Sequence, residues 1–187
     1  YEYAIYIILS SAFHMATVIV LGLVFNLLTE SLVFYLSFIV IRKFAGGYHA
    51  KTPVRCYAFS VISSIIVLCL IKLSNSVCFI FTYVLIVLEL FSVVLILLIS
   101  PLDTENNPLN SREKKSYKML AALISTCIFT ISTLCVFTGC RNIGLSMICA
   151  IIMSAIVLLM RKFQIICEDV SKRGWENEVK SICFWIS

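Results

Sequence analysis

Long apolar runs, each closed by a short polar break, constrain this chain more than any other feature. Val77–Ile99 holds 23 residues with Glu89 as its sole charge. At about 1.5 Å per residue, such a run covers the ~30 Å hydrocarbon core of a bilayer. Ile5–Phe25, Met119–Phe137 and Ile143–Met160 are similar runs. Hydrophobic residues make up 61% of the chain and charged residues 13%, against ~45–50% and ~25% in a typical soluble domain. One core cannot bury that excess, so lipid must solvate much of it. Backbone groups in lipid have to be satisfied internally, and the runs are of helical length. The expected fold is therefore all-α: a polytopic membrane helical bundle.

The remaining runs are shorter. Cys56–Ile71 is closed by Lys72. Ser31–Ile41, even extended back to Leu27, reaches only ~22 Å, so it is a thin crossing or a re-entrant helix. The first run lacks a small-residue cleavage site followed by a soluble domain, so it reads as a span and not as a removable signal. Lys and Arg cluster in Arg42–Arg55 (four), Arg112–Lys118 (four) and Arg161–Lys180 (five), whereas Asn26–Glu30 has none and the breaks at Lys72 and Arg141 have one each. Rich and poor breaks alternate, as the positive-inside rule requires. This predicts six crossings, about 5–25, 27–41, 56–71, 77–99, 119–137 and 143–160, in one integral membrane domain over 1–187. Both ends are expected in the cytoplasm. Two half-membrane hairpins are the alternative for the short segments.

Nine cysteines suggest a disulfide framework. The odd number, the lack of a CxxC pattern and the placement of most of them in apolar runs argue against one, and against a zinc site. No metal, no cofactor and no nucleic-acid partner is expected. After Met160, Phe163, Ile166, Cys167 and Val170 recur at helical spacing. They predict either a surface-lying amphipathic helix or a solvated helical tail.

Chemistry concentrates in Arg42–Cys56, a polar, Gly-containing stretch between two apolar runs. Pro53 is placed to start a helix, and Cys56 follows it by three residues. Unpaired amides and the positive dipole end of a first turn stabilise a thiolate, and Lys51 and Arg55 add charge nearby. His49 precedes the thiol by seven residues. Such a pair supplies a nucleophile and a general base that later returns the proton as acid. Gly46 and Gly47 let the backbone bend or a peptide approach closely, and amides there or at the helix start could form an oxyanion hole. The bland reading is a packing cysteine and a solvated loop histidine.

Arg42-x-x-x-Gly46-Gly47-x-His49 followed by Cys56 resembles the active-site signature of AgrB, the membrane endopeptidase of bacterial accessory gene regulator quorum-sensing systems. Pro101–Leu109, followed by Arg112-Glu113-Lys114-Lys115, also looks like that family's central loop. The likeness extends over nearly the whole chain. It implies a cysteine peptidase that acts on an AgrD-like precursor peptide. Cys56 would cleave off the precursor's C-terminal tail and hold an acyl-enzyme thioester. An internal cysteine of the precursor would then close a thiolactone ring, or a serine a lactone. The resemblance implies His49 as the base, Arg42 and Gly47 as supporting positions, and a homodimer. Arg42 either holds an acidic tail or oxyanion, or is an ordinary positive-inside anchor. Asp103 and Glu105 either orient His49 or belong to a solvated loop that binds the precursor.

His14 and Glu89 fall mid-span, where ionisable groups normally face a protein partner. Their similar expected depth suggests contact between them. Neither is expected to be catalytic, because Cys56 is placed at the membrane boundary. Rival readings are a peptide transporter or exporter, whose spans would carry a polar route, and a non-catalytic membrane subunit.

Overall fold

A computed structural model describes the backbone of residues 2–45, 53–74, 79–100 and 111–172, and the side chains of 12–45, 57–74, 80–100 and 114–167. Six helices follow in order: α1 (Glu2–Phe25), α2 (Leu28–Ala45), α3 (Pro53–Ser74), α4 (Phe79–Ile99), α5 (Ser111–Phe137) and α6 (Arg141–Lys172). The architecture is an all-α membrane bundle.

Local chemistry sets the helix ends. Asn26 takes a positive φ of 55°, as its turn-forming character predicts. The Leu27 amide donates to the Gly22 carbonyl at 2.8 Å and the Asn26 amide to that of Leu23 at 3.1 Å. This paired capping ends α1 and reverses the chain within two residues. A Cβ on Gly22 would stand 2.9 Å from the Leu28 Cα, so only glycine lets the α1–α2 hairpin close this tightly. Pro53 begins α3, as expected. Gly139, at φ 94°, turns the chain into α6. Asn142 is in the first turn of α6, where its backbone carbonyl accepts the Ser146 hydroxyl at 2.9 Å.

Several helices run past the limits expected from apolarity. The 18 residues of α2 reach about 27 Å, because Arg42, Lys43 and Phe44 continue the helix beyond Ile41. Helix α5 begins at Ser111, so the basic stretch Arg112–Lys118 is helical. Helix α6 does not stop at Met160 but continues to Lys172, so the expected tail helix is the end of α6. In that extension Gln164 and Cys167 are buried while Phe163 and Ile166 are exposed.

Helix α6 is the hub and packs on α2, α3, α4 and α5. Its Leu145, Ile148, Ile151 and Leu158 are fully buried. Outward faces are also apolar, with Ile80, Val87, Leu98, Leu123 and Leu134 exposed, as lipid contact demands. Among the described residues four helices are long and apolar enough to cross a membrane: Tyr57–Ser74, Ile80–Ile99, Lys114–Phe137 and Arg141–Cys167. Helix ends gather at two levels. The Ser100 hydroxyl donates to the Ala45 carbonyl at 3.3 Å, joining the ends of α2 and α4. At the other level Arg141 Nη2 donates to Ser74 Oγ at 3.1 Å and Thr82 Oγ1 at 2.7 Å. One side chain thus ties the end of α3 and the start of α4 to the start of α6.

Candidate functional site

Arg42 stands in the last turn of α2, and the backbone of Arg55 and Cys56 lies in the first turn of α3. Gly46, Gly47, His49, Lys51, Asp103 and Glu105 lie outside the described residues. The structure therefore frames the candidate thiol through the elements on either side of it.

The frame has a definite depth. Ser31 Oγ donates to the Val18 carbonyl at 2.9 Å in a buried contact between α1 and α2. Four residues along each helix of this hairpin, His14 comes level with Tyr35. The His14 ring is also 4.9 Å from the Tyr57 ring, so α1, α2 and α3 share that level. Counting at 1.5 Å per residue, Ala45 lies about 15 Å above it and Pro53 only about 6 Å. Helix α3 thus starts roughly 9 Å deeper than α2 ends. Cys56 comes next to Tyr57 in that first turn, so its backbone lies in the step, or recess, below the α2 terminus.

Arg42 shares the recess. Its guanidinium sits over the Phe38 ring, 5.9 Å from the centroid. The side chain folds back along α2 toward the depth of α3's first turn instead of extending away, and its charge lies within Coulombic reach of His14. Lys43 takes the outward course: it is exposed, with Nζ 5.7 Å from the Phe44 ring. Phe44 in turn meets Tyr117 at 6.1 Å, so aromatic contact fixes the end of α2 against α5.

Tyr57, the residue after Cys56, has three partners on α1. Its ring lies 5.3 Å from Phe13 and 4.9 Å from His14, and its hydroxyl is 2.8 Å from Thr17 Oγ1. Thr17 donates its own proton to the Phe13 carbonyl at 2.9 Å, which leaves the Tyr57 hydroxyl as donor to Thr17. This cluster was not foreseen. Its signal was present, because Phe13, His14 and Thr17 share one helical face.

The expected His14–Glu89 contact is not formed. His14 packs on Tyr57 of α3, and Glu89 of α4 accepts the Ser132 hydroxyl of α5 at 2.6 Å. Equal depth did not imply adjacency, since α1 flanks α2 and α3 while α4 lies against α5 and α6. Cys69, Cys127, Cys135, Cys140, Cys149 and Cys167 are free thiols. Among the described residues no cluster of three or more metal-ligating side chains occurs.

The family model for AgrB, accessory gene regulator B, matches residues 1–166. The chain belongs to the AgrB family. An AgrB-like protein of Clostridium perfringens is 26% identical over 159 residues, covering 83% of this chain and 74% of that one. The accessory gene regulator protein B of Staphylococcus carnosus is 33% identical over 119 residues, 62% of this chain and 60% of the relative. Protein FsrB of Enterococcus faecalis is 27% identical over 133 residues, 71% of this chain and 54% of the relative. The chain thus spans between about half and three quarters of these AgrB relatives. No solved structure matches it. The AgrB match contains the whole Arg42–Cys56 stretch and every residue of the recess.

Proposed function

We propose that this AgrB-family chain is a membrane cysteine endopeptidase that removes the C-terminal tail of an AgrD-like pheromone precursor and cyclises the remaining acyl fragment. The supporting observation is family membership together with the position of Cys56, in the first turn of a helix whose next residue, Tyr57, packs against α1. Free amides and the dipole at such a turn favour the thiolate.

His49 takes the thiol proton, and Cys56 sulfur attacks the carbonyl carbon before the tail. The C–N bond breaks, and His49 returns the proton to the departing amine. An acyl-enzyme thioester is left on Cys56. A cysteine of the precursor attacks it, its thiol proton passes to the site base, and Cys56 leaves as thiolate while a thiolactone closes (a serine gives a lactone). Exchange of one thioester for another is nearly balanced. Placement of the internal thiol and exclusion of water therefore decide the outcome, and a recessed nucleophile serves both. Amides of the α3 turn, with Gly46 and Gly47 before it, would hold the oxyanion. Arg42 would stabilise negative charge on oxyanion or tail, with Lys51 and Arg55 adding positive potential.

The same reading takes 1–187 as one membrane domain with six crossings. Its site and both ends face the cytoplasm of a bacterial cell, and it works as a homodimer. The test is reconstitution in liposomes with the precursor encoded beside it, with product masses followed for the native chain, Cys56→Ala and His49→Ala. A cyclic fragment plus a free tail, lost in both variants, is the expected result. An intact precursor with folded native protein would overturn the peptidase reading.

A further inference from the structure

Tyr57 is next to Cys56 on one rigid helix, so whatever fixes Tyr57 fixes the first turn of α3. Three neighbours from α1 hold it: the Phe13 ring at 5.3 Å, the His14 ring at 4.9 Å and the Thr17 hydroxyl at 2.8 Å. All three contacts converge on one side chain, and all come from a single helix. At the far end of the same pair, Lys72 Nζ lies 5.8 Å from the Phe25 ring, so α1 and α3 run side by side and parallel. The Tyr57–Thr17 hydrogen bond sits at the end of that contact where the candidate thiol is.

We infer that Tyr57 is a positioning residue for Cys56: its hydrogen bond to Thr17, together with its contacts to the Phe13 and His14 rings, sets the rotation and depth of the first turn of α3. This rests on the reading of Cys56 as the nucleophile. The contact is built for orientation more than for adhesion. Contacts with two rings confine the phenol laterally. The hydroxyl, whose proton must go to Thr17 because Thr17 spends its own on the Phe13 carbonyl, confines it along the helix axis. A small rotation of α3 displaces a nucleophile one residue away, and displacements of about 1 Å at a reacting atom cost up to ~100-fold in rate. His14 contributes through its face on Tyr57, which gives this mid-span histidine a role other than proton transfer.

The test uses the full-length protein in liposomes, as Tyr57→Phe, Thr17→Val and the double variant. Each removes the hydrogen bond and little volume. Three quantities are read: kcat and KM for precursor cleavage, the rate of iodoacetamide alkylation at the peptide carrying Cys56, and Tm. The expected result is a fall in kcat of about tenfold or more in each single variant, with KM and Tm near native and an altered alkylation rate. The double variant is no worse than either single one, because one bond is lost in all three. Native kcat and alkylation in Tyr57→Phe, or losses that follow Tm, or additive losses, would overturn the inference. If the native chain leaves the precursor intact while Cys56 alkylation still responds to Tyr57→Phe, the peptidase reading fails and the positioning role stands.

Discussion

Glu89 and Ser132 meet in the middle of the bundle, where Glu89 Oε1 accepts the Ser132 hydroxyl at 2.6 Å. Glu89 is fully buried, and its Oε2 has no hydrogen-bond partner among the described residues. Ser132 Oγ also lies 2.8 Å from the Phe129 carbonyl. One hydroxyl proton is therefore shared between two acceptors, and this serine is the carboxyl's hydrogen-bonding link between α4 and α5.

Ser132→Ala should consequently be costly. It strips the carboxyl of its donor and leaves a buried polar group unsatisfied, a loss of about 1–3 kcal/mol. Glu89→Gln should be mild, since an amide oxygen still accepts from Ser132 and no charge has to be accommodated. Thermal unfolding in detergent checks this order; equal Tm values for Ser132→Ala and the native chain would refute it.

Gly144 is a close contact of α6 with α5. A Cβ there would meet Val136 Cγ2 at 2.6 Å and the Ser132 carbonyl at 2.8 Å. Backbone cannot yield as a flexible side chain can, so Gly144→Ala should cost about 1–3 kcal/mol through overpacking. The shift would reach Ser132 and hence Glu89. Gly139→Ala is the control: it meets nothing within 4 Å, and only its φ of 94° penalises it.

These sites show what the sequence could reveal. Apolar runs, Asn26 and Pro53 marked the helices and two of their ends, because they report the lipid and the local backbone. The reach of α2 past Ile41 was hidden because Arg42 and Lys43 look like a terminus in composition but are good helix formers. Partner choice was hidden too. Equal depth suggested His14 with Glu89, yet which helices adjoin is decided by small contact residues such as Gly22 and Gly144, whose roles appear only in three dimensions. Arg42 and Cys56 stood out as candidates by spacing; the shared face of Phe13, His14 and Thr17 was visible too, but not that a tyrosine forty residues on packs against it.

Arg141 anchors the level opposite the recess. Its Nη2 donates to Ser74 and Thr82, and charged hydrogen bonds of this kind contribute about 1.5–3 kcal/mol. Arg141→Ala should lower Tm. In the protein that still folds, kcat should stay near native, because the candidate thiol lies at the other end of α3. A loss of kcat at native Tm would contradict that separation.

Arg42 separates charge from shape. Its guanidinium folds over Phe38 at 5.9 Å toward the depth of Cys56. If the residue were only a boundary anchor, Arg42→Lys would keep the charge and the activity. A lysine lacks the planar fork that both stacks on a ring and offers two parallel donors. Arg42→Lys is therefore expected to reduce kcat/KM for precursor cleavage at least about tenfold, or ~1.4 kcal/mol of transition-state stabilisation. Arg42→Ala should reduce it further, with Tm little changed in both. Phe38→Leu, which removes the ring but keeps the apolar packing, should share part of the Arg42→Lys defect. Liposome kinetics on the three variants decide the matter: native kcat/KM in Arg42→Lys would return Arg42 to the role of an anchor.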